Sequence, residues 1–415
     1  MNSLSTNHQP PAAPAPATSV RVAPGGHWVR HIACVSTTRA DSGIYAPLLA
    51  ALSRAGDFEI SMLAGGTHHS ETFGQTARLM TEMPRLTIEP VEHFVEGDKP
   101  AQVCETAGRA ITAFSGALSR QPVDLVFALG DRTEMLAACL AATIHRAPIA
   151  HLHGGDVTQG AYDDSCRHAI AKLSHVHFPA LQAHANRIRQ MGEESWRIHT
   201  VGSLALDELA GFTPQPIESL SREVGLDFSA PTAVVVFHPE TLCEMPPDRQ
   251  IRELLDALSR LSMNLLFVGP NADVGRDAVD AAIRGFVSSR SNAVIAHSLG
   301  QSQFWSCMAH ARVQVGNSSS GIIEAASLRL PVVNVGDRQT GRLAPPNVVH
   351  TPIEAEAIHR ALSQATSPGF VKSLANLKNP YGDGNAAERI IAAVRGLPPR
   401  QQLLTKKWAD NADSR

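Results

Sequence analysis

Short apolar runs alternate with segments of helical period along most of the chain. The runs fall at residues 31–35, 58–63, 123–129, 148–152, 176–178 and 198–201, then at 233–237, 265–268, 293–296, 312–315 and 332–335. Each is bounded by Gly or polar clusters, the pattern of strands buried on both faces of a parallel sheet. Helix-like stretches such as 44–55 lie between them, so the alternation is βαβ and the expected class is α/β. It occurs in two halves on either side of Gly211-Phe212-Thr213-Pro214-Gln215-Pro216, a linker composition. The pattern predicts a Rossmann-like domain over 27–210 and a second over 217–396, with a cleft between them. Residues 1–26 are rich in Pro, Ala, Ser and Thr and predict a disordered tail. The polar residues 397–415 predict a second flexible tail.

In an open α/β sheet, the residues after the carboxyl end of a strand face the ligand crevice. Two strand ends are rich in chemistry. Run 123–129 leads into Gly130-Asp131-Arg132-Thr133-Glu134, and run 148–152 into His153-Gly154-Gly155-Asp156, with Asp163-Asp164 and Arg167-His168 close behind. Asp131, Asp156 and Asp163 are therefore expected to converge. Acids with Arg and His beside them suit proton transfer on a ligand that carries negative charge. At helical spacing, Asp163 shares a face with Arg167, and Asp164 with His168.

Other strand ends offer anion ligands. Thr37-Thr38-Arg39-Ala40-Asp41 makes a strand-to-helix turn, which fits either a phosphate or an ordinary capped helix. Gly316-Asn317-Ser318-Ser319-Ser320-Gly321 puts small residues, hydroxyls and backbone N–H groups at a helix start, with Glu324 placed to reach sugar hydroxyls. It lacks the Gly-Lys-Ser/Thr ending of a P-loop. Phe237-His238-Pro239-Glu240, Val268-Gly269-Pro270-Asn271 and Gly336-Asp337-Arg338-Gln339-Thr340-Gly341-Arg342 repeat the theme, and His68-His69 lies in a loop. His151-Leu152-His153 has the alternate spacing of a metal pair. Without an HExxH it reads as hydrogen-bonded structure, and no metal is expected.

Composition narrows the class. The chain has 415 residues, 43% hydrophobic and 18% charged, with formal net charge -3. That is ordinary for a globular protein and gives no electrostatic case for nucleic-acid binding. Six scattered cysteines (Cys34, Cys104, Cys139, Cys166, Cys243 and Cys307) show neither CxxC nor zinc spacing, the usage of free thiols in a reducing cytoplasm. No secretory leader is expected, and no apolar stretch approaches the ~20 residues that span a bilayer. There is no GxGxxG with a downstream ribose acid, so no NAD and no other cofactor is expected.

Taken together, Thr38-Arg39-Ala40-Asp41, Gly130-Asp131-Arg132, His151-Leu152-His153-Gly154-Gly155, Asp163-Asp164-Ser165-Cys166-Arg167-His168, His238-Pro239-Glu240-Thr241-Leu242, Gly316 to Gly321, Gly336-Asp337-Arg338-Gln339 and Asn379-Pro380-Tyr381-Gly382-Asp383-Gly384 resemble the hydrolysing UDP-N-acetylglucosamine 2-epimerases of sialic-acid biosynthesis. The resemblance runs from about Arg30 to Arg395. It implies a GT-B-like fold with UDP held mainly by the second domain, a UDP-sugar substrate, and a homo-oligomer, dimer or tetramer. It also implies elimination of UDP to a 2-acetamidoglucal, followed by hydration to N-acetylmannosamine. By similarity Asp131, Asp156 and Asp163 are the catalytic acids. Arg39, Arg132, His238, Ser318, Ser319, Glu324 and Arg338 match positions that contact UDP or its phosphates. Asp41, His68, Arg167 and Asn271 complete the expected substrate-binding set. One departure stands out: family members usually carry Glu where this chain has Asp156, one methylene shorter. The same reaction on a UDP-2,4-diacetamido-trideoxyhexose, and a GT-B glycosyltransferase, are the alternative readings; the acid cluster argues against the transferase.

Overall fold

The computed structural model describes residues 28–70, 84–269, 274–296 and 299–410. The expected N-terminal tail and Asn271 lie outside the described residues. Among the described residues, twelve strands form two six-stranded, wholly parallel sheets. The first contains β1 (His31–Ser36), β2 (Glu59–Ala64), β3 (Leu86–Pro90), β4 (Leu125–Leu129), β5 (Ile149–Leu152) and β6 (Val176–Phe178), in the order β3-β2-β1-β4-β5-β6. The second contains β7 (Thr232–Val236), β8 (Asn264–Val268), β9 (Ala293–Ala296), β10 (Val313–Gly316), β11 (Val332–Val335) and β12 (Val348–Thr351), in the order β12-β11-β10-β7-β8-β9. Both are the doubly wound order, so each half has a topological switch point, between β1 and β4 and between β7 and β10. Two such domains with a shared cleft are the GT-B-like architecture.

The first sheet is crossed over by α1 (Arg39–Ala55), α2 (Pro100–Arg120), α3 (Thr133–Ile144), α4 (Asp163–Leu173) and α5 (Gln182–Gln190). Its central strands are mostly apolar, and β4 (LVFAL) is apolar and buried at every position. Parallel strands covered on both faces by crossover helices need such continuous runs. One edge strand of each sheet reads differently. β3 is LTIEP and β12 is VVHT, both largely half-exposed, and neither stood out as an apolar run. Residues 198–201, expected as a strand, make only an isolated bridge from Ile198 to His177.

The chain does not finish in its second domain. Helix Ala386–Arg395 packs into the first core through Ala386, Ala387, Ile390, Ile391 and Val394. Asp207 caps it, accepting from the backbone N–H groups of Ala386 (2.9 Å) and Ala387 (2.6 Å). The expected boundary at 396 is therefore misplaced, because that helix buries its apolar stripe against the first domain. The segment beyond it also differs from the loose tail that was expected. Leu397 and Leu403 join the same core, and helix Arg400–Leu404 is formed.

Candidate active site

In the first domain the polar groups lie just beyond the carboxyl ends of β1, β4 and β5. Gly130, at φ +78, turns the chain out of β4 and presents Asp131. The Asp131 carboxylate accepts from the guanidinium of Arg167, on α4. Arg167 is 1% exposed and also donates to Asp164 (3.1 Å) and to the Thr158 hydroxyl (3.0 Å). Burial, reinforced by the nearby guanidiniums of Arg342, Arg338 and Arg187, pulls its pKa well below the usual arginine value. Three guanidiniums close enough to act on a fourth make a place that suits an anion.

Asp163 opens α4 and lines a narrow recess with Phe94, Arg132, Glu134 and Tyr162. A cavity of about 1030 Å³ shares Phe94 with that recess and is lined by His69, Glu92, His93, Glu96 and Arg109. Arg132 stands at the N-cap of α3, its Nε 3.8 Å from the Glu134 carboxylate. On α4, Arg167 pairs with Asp164, one helical turn away, and Asp164 also lies 3.4 Å from His168.

Asp156, expected as a catalytic acid, is tied into the protein on both sides. It is 5% exposed, and both oxygens are engaged. Oδ1 accepts from His184 Nε2 (3.1 Å) and the Val157 N–H (2.9 Å), while Oδ2 pairs with Arg342 Nε (3.0 Å) from the second domain. Burial pushes this carboxyl up, but Arg342 and the His184 hydrogen bond outweigh it, leaving a pKa of about 2. So held, the group keeps no proton to give and is a weak acceptor for one.

Asp41 and His68 are also committed within the protein. Asp41 Oδ2 accepts from the Thr37 and Thr38 N–H groups (2.9 Å each) and the Thr37 hydroxyl (2.8 Å), closing a capping box at α1. The N–H groups expected for phosphate are thus filled by the helix's own carboxylate. Arg39 is the first residue of α1. His68, fully buried, lies 2.7 Å from the Ser36 hydroxyl, and burial lowers its pKa to about 4. The histidines weighed for a metal are engaged separately. His151 Nε2 bonds the Gly130 carbonyl (2.8 Å), and His153 accepts from the Leu204 N–H (3.2 Å).

In the second domain, Asn317 organises the switch point. Its side chain accepts from the His238 N–H (2.8 Å) and donates to the His238 carbonyl (2.9 Å). Its own carbonyl receives Arg338 Nη1 (3.3 Å) and Gln339 Nε2 (2.7 Å). One fully buried amide thus ties the ends of β7 and β10 to the loop after β11. Ser318 caps the short helix Ser319–Ile323, its hydroxyl accepting from the Ser320 N–H. Glu324 follows that helix and accepts from the Trp305 indole (2.8 Å); burial raises its carboxyl to about 7, with the indole bond opposing. Arg342, Arg187, His184 and Asn317 were not among the residues expected from sequence. Arg342 and Asn317 sit inside motifs already singled out, whereas Arg187 and His184 lie on α5, whose sequence carries no motif.

Comparison with known proteins places this geometry. The profile of the family described as UDP-N-acetylglucosamine 2-epimerase matches residues 50–395. The chain is 32% identical over 380 residues to a UDP-N,N'-diacetylbacillosamine 2-epimerase (hydrolyzing) of Legionella pneumophila, covering 91% of this chain and 99% of that one. It is 31% identical to a UDP-N-acetylglucosamine 2-epimerase of Neisseria meningitidis, covering 82% and 89%. Among solved structures, the Neisseria meningitidis UDP-GlcNAc 2-epimerase bound to UDP-GlcNAc superposes with a TM-score of 0.75 at 18% identity, covering 88% of this chain and 100% of that one.

Proposed function

The chain belongs to the UDP-N-acetylglucosamine 2-epimerase family, and from that premise we propose that it is a hydrolysing 2-epimerase, converting UDP-N-acetylglucosamine and water to N-acetylmannosamine and UDP. The observation that carries the reading is the Asp131–Arg167 pair, with Arg338 near enough to act on Arg167 from the UDP side of the cleft. A carboxylate for the C2 proton and cations for the leaving diphosphate are the two requirements of the elimination.

In this mechanism a base takes the C2 proton, the C–H electrons form a C1=C2 double bond, and the C1–O bond breaks to release UDP. Water then adds its oxygen to C1 while C2 receives a proton on the opposite face. Asp131 and Asp163 share these transfers. Arg338 stabilises charge on the departing diphosphate, and Arg167 holds Asp131 in place beside it. His238, Ser318 and Ser319 hold UDP, Arg39 and Arg132 are its ligands in the first domain by family resemblance, and Glu324 accepts from ribose. Asp41 and His68 serve by shaping the β1 turn.

Incubation with UDP-N-acetylglucosamine in deuterated water tests the reading. Proton NMR is expected to reveal N-acetylmannosamine carrying deuterium at C2. Retention of the original hydrogen would replace this mechanism with simple hydrolysis of the glycosyl phosphate. The Legionella relative motivates a second reading, the same reaction on a UDP-diacetamido sugar. A higher kcat/KM for that substrate would select it.

A further inference from the structure

Two loops, one from each domain, meet along a seam. One follows β5 and carries Asp156 through Tyr162; the other follows β11 and carries Gly336 through Arg342. The Asp156–Arg342 pair crosses the seam at 3.0 Å, and both side chains are more than nine-tenths buried. Arg342 Nε also donates to the Val157 carbonyl (3.1 Å). The Gln159 N–H reaches the Thr340 carbonyl (3.4 Å), and the Tyr162 N–H reaches the Thr241 hydroxyl (3.2 Å).

Two glycines permit this approach. A Cβ on Gly160 would lie 2.7 Å from the Arg338 Cα and 2.8 Å from its nitrogen. A Cβ on Gly341 would lie 2.7 Å from Val157 Cγ2. Side chains at these positions would hold the loops apart. The seam is therefore built for contact at two independent levels, charge and shape. It also joins the functional halves. Arg338 sits on one loop, and Asp163 follows directly on the other.

We infer that Asp156 is a positioning residue, the first-domain half of an interdomain clasp with Arg342 that sets the UDP-binding loop against the acid-bearing loop. The inference rests on the function proposed above and deepens it. His184 holds the other carboxylate oxygen, so the carboxylate is anchored within its own domain as well as across the seam. One guanidinium nitrogen, Nη1, is buried with no hydrogen-bond partner among the described residues, which leaves a donor for a bound molecule. Proton transfer falls to Asp131 and Asp163.

The test uses the full chain with D156N, R342Q, their double variant, R342K and G160V, read by small-angle X-ray scattering with and without UDP, by steady-state kinetics and by thermal melts. D156N and R342Q are expected to lower kcat by similar factors, about ten- to a hundredfold, as misplacement of reacting groups does. The double variant should be no worse than the worse single, because both remove one interaction. R342K should recover part of the loss. Each single variant should scatter as a more open particle than the parent at saturating UDP. G160V keeps every charge and should reproduce both the opening and the loss. The inference is overturned if D156N loses about a thousandfold or more while R342Q stays near the parent, the signature of a proton-transfer group. Additive losses, or a G160V that closes and turns over like the parent, also overturn it. If R342Q folds poorly, R342K and G160V decide the matter on the same readouts. A parent inactive on both UDP-sugars defeats the functional reading, while scattering with UDP still decides the clasp. An active parent with active, closed variants defeats the clasp alone.

Discussion

Arg167 reaches from α4 to Asp131, thirty-six positions earlier in the chain, and is 1% exposed where they meet. A buried guanidinium is costly unless its N–H groups are met; here Asp164 and Thr158 take two more of them. The pair fixes the orientation of Asp131 while leaving 27% of its side chain exposed toward the cleft. The acid is thus held from behind and open in front.

Asp131→Asn tests that arrangement. The amide can still accept from Arg167, so the fold should persist. Turnover should fall by roughly a hundred- to ten-thousandfold, the usual worth of a placed acid or base. UDP affinity, measured by calorimetry, should be unchanged or tighter, since one negative charge has left a cationic site. Turnover within tenfold of the parent would remove Asp131 from the proton transfers.

Asn317→Ala addresses the nucleotide side. It would strand the buried N–H and carbonyl of His238 together. Each unsatisfied group costs about 1–3 kcal/mol. A lower melting temperature and weaker UDP binding should appear together. His238→Ala and Ser319→Ala should each weaken UDP binding by about 1–3 kcal/mol with little effect on melting. If calorimetry finds UDP affinity unchanged in all three, UDP is held elsewhere.

The interior strands were legible because burial on both faces forces uninterrupted apolar runs. β3 and β12 were not, because an edge strand with one half-exposed face can carry Glu89 or His350. The acids were legible as strand-end residues, since the parallel sheet sends every such end to one rim. What each acid does was less so. Asp156 and Asp131 occupy equivalent places in the sequence pattern, yet their surroundings diverge: Arg342 and His184, partners distant in the chain, engage Asp156, while Arg167 holds Asp131. The helix 386–395 was assigned to the wrong domain for a related reason: its apolar stripe does not say which core it will meet.

Glu324 predicts a pH dependence of stability. Burial holds its carboxyl at about 7 in the folded chain, above the ordinary glutamate value of 4.5. The folded state therefore keeps a proton that the unfolded state has released across that window. Stability should fall as pH rises from about 4.5 to about 7, and the penalty should be complete above it. Glu324→Gln keeps an acceptor for Trp305 and removes the titration. Melts from pH 5 to pH 8 should be flatter for the variant, with its relative gain largest at pH 8. Parallel curves would place the titration elsewhere.

Removal of residues 397–415 should destabilise the first domain. Leu403 is fully buried in its core, and Arg197, 1% exposed, donates to the Leu403 (2.8 Å) and Thr405 (2.9 Å) carbonyls. Lys406 reaches Glu193 at 2.9 Å, where Lys172 (2.7 Å) and His177 (3.3 Å) also converge. Burial raises the Glu193 carboxyl, but His177, Lys172 and Lys406 outweigh it and hold it at about 2. Truncation would take these carbonyl acceptors from the buried guanidinium, which keeps Glu194 (2.8 Å) and the His175 carbonyl (3.0 Å), and strip the carboxylate of one cation. Losing hydrogen-bond partners of such buried groups costs about 1–3 kcal/mol each, before the lost apolar burial is counted. The stabilisation from Glu193 is present above about pH 4.5 and disappears as pH falls toward 2, so the deficit of the truncated chain should be largest at neutral pH and shrink in acid. Lys406→Met provides the point version, with a smaller deficit of the same pH sign. A truncated chain that melts within about 2 °C of the parent at pH 7, well under the shift such a loss should give, would return the segment to the loose tail its composition suggests.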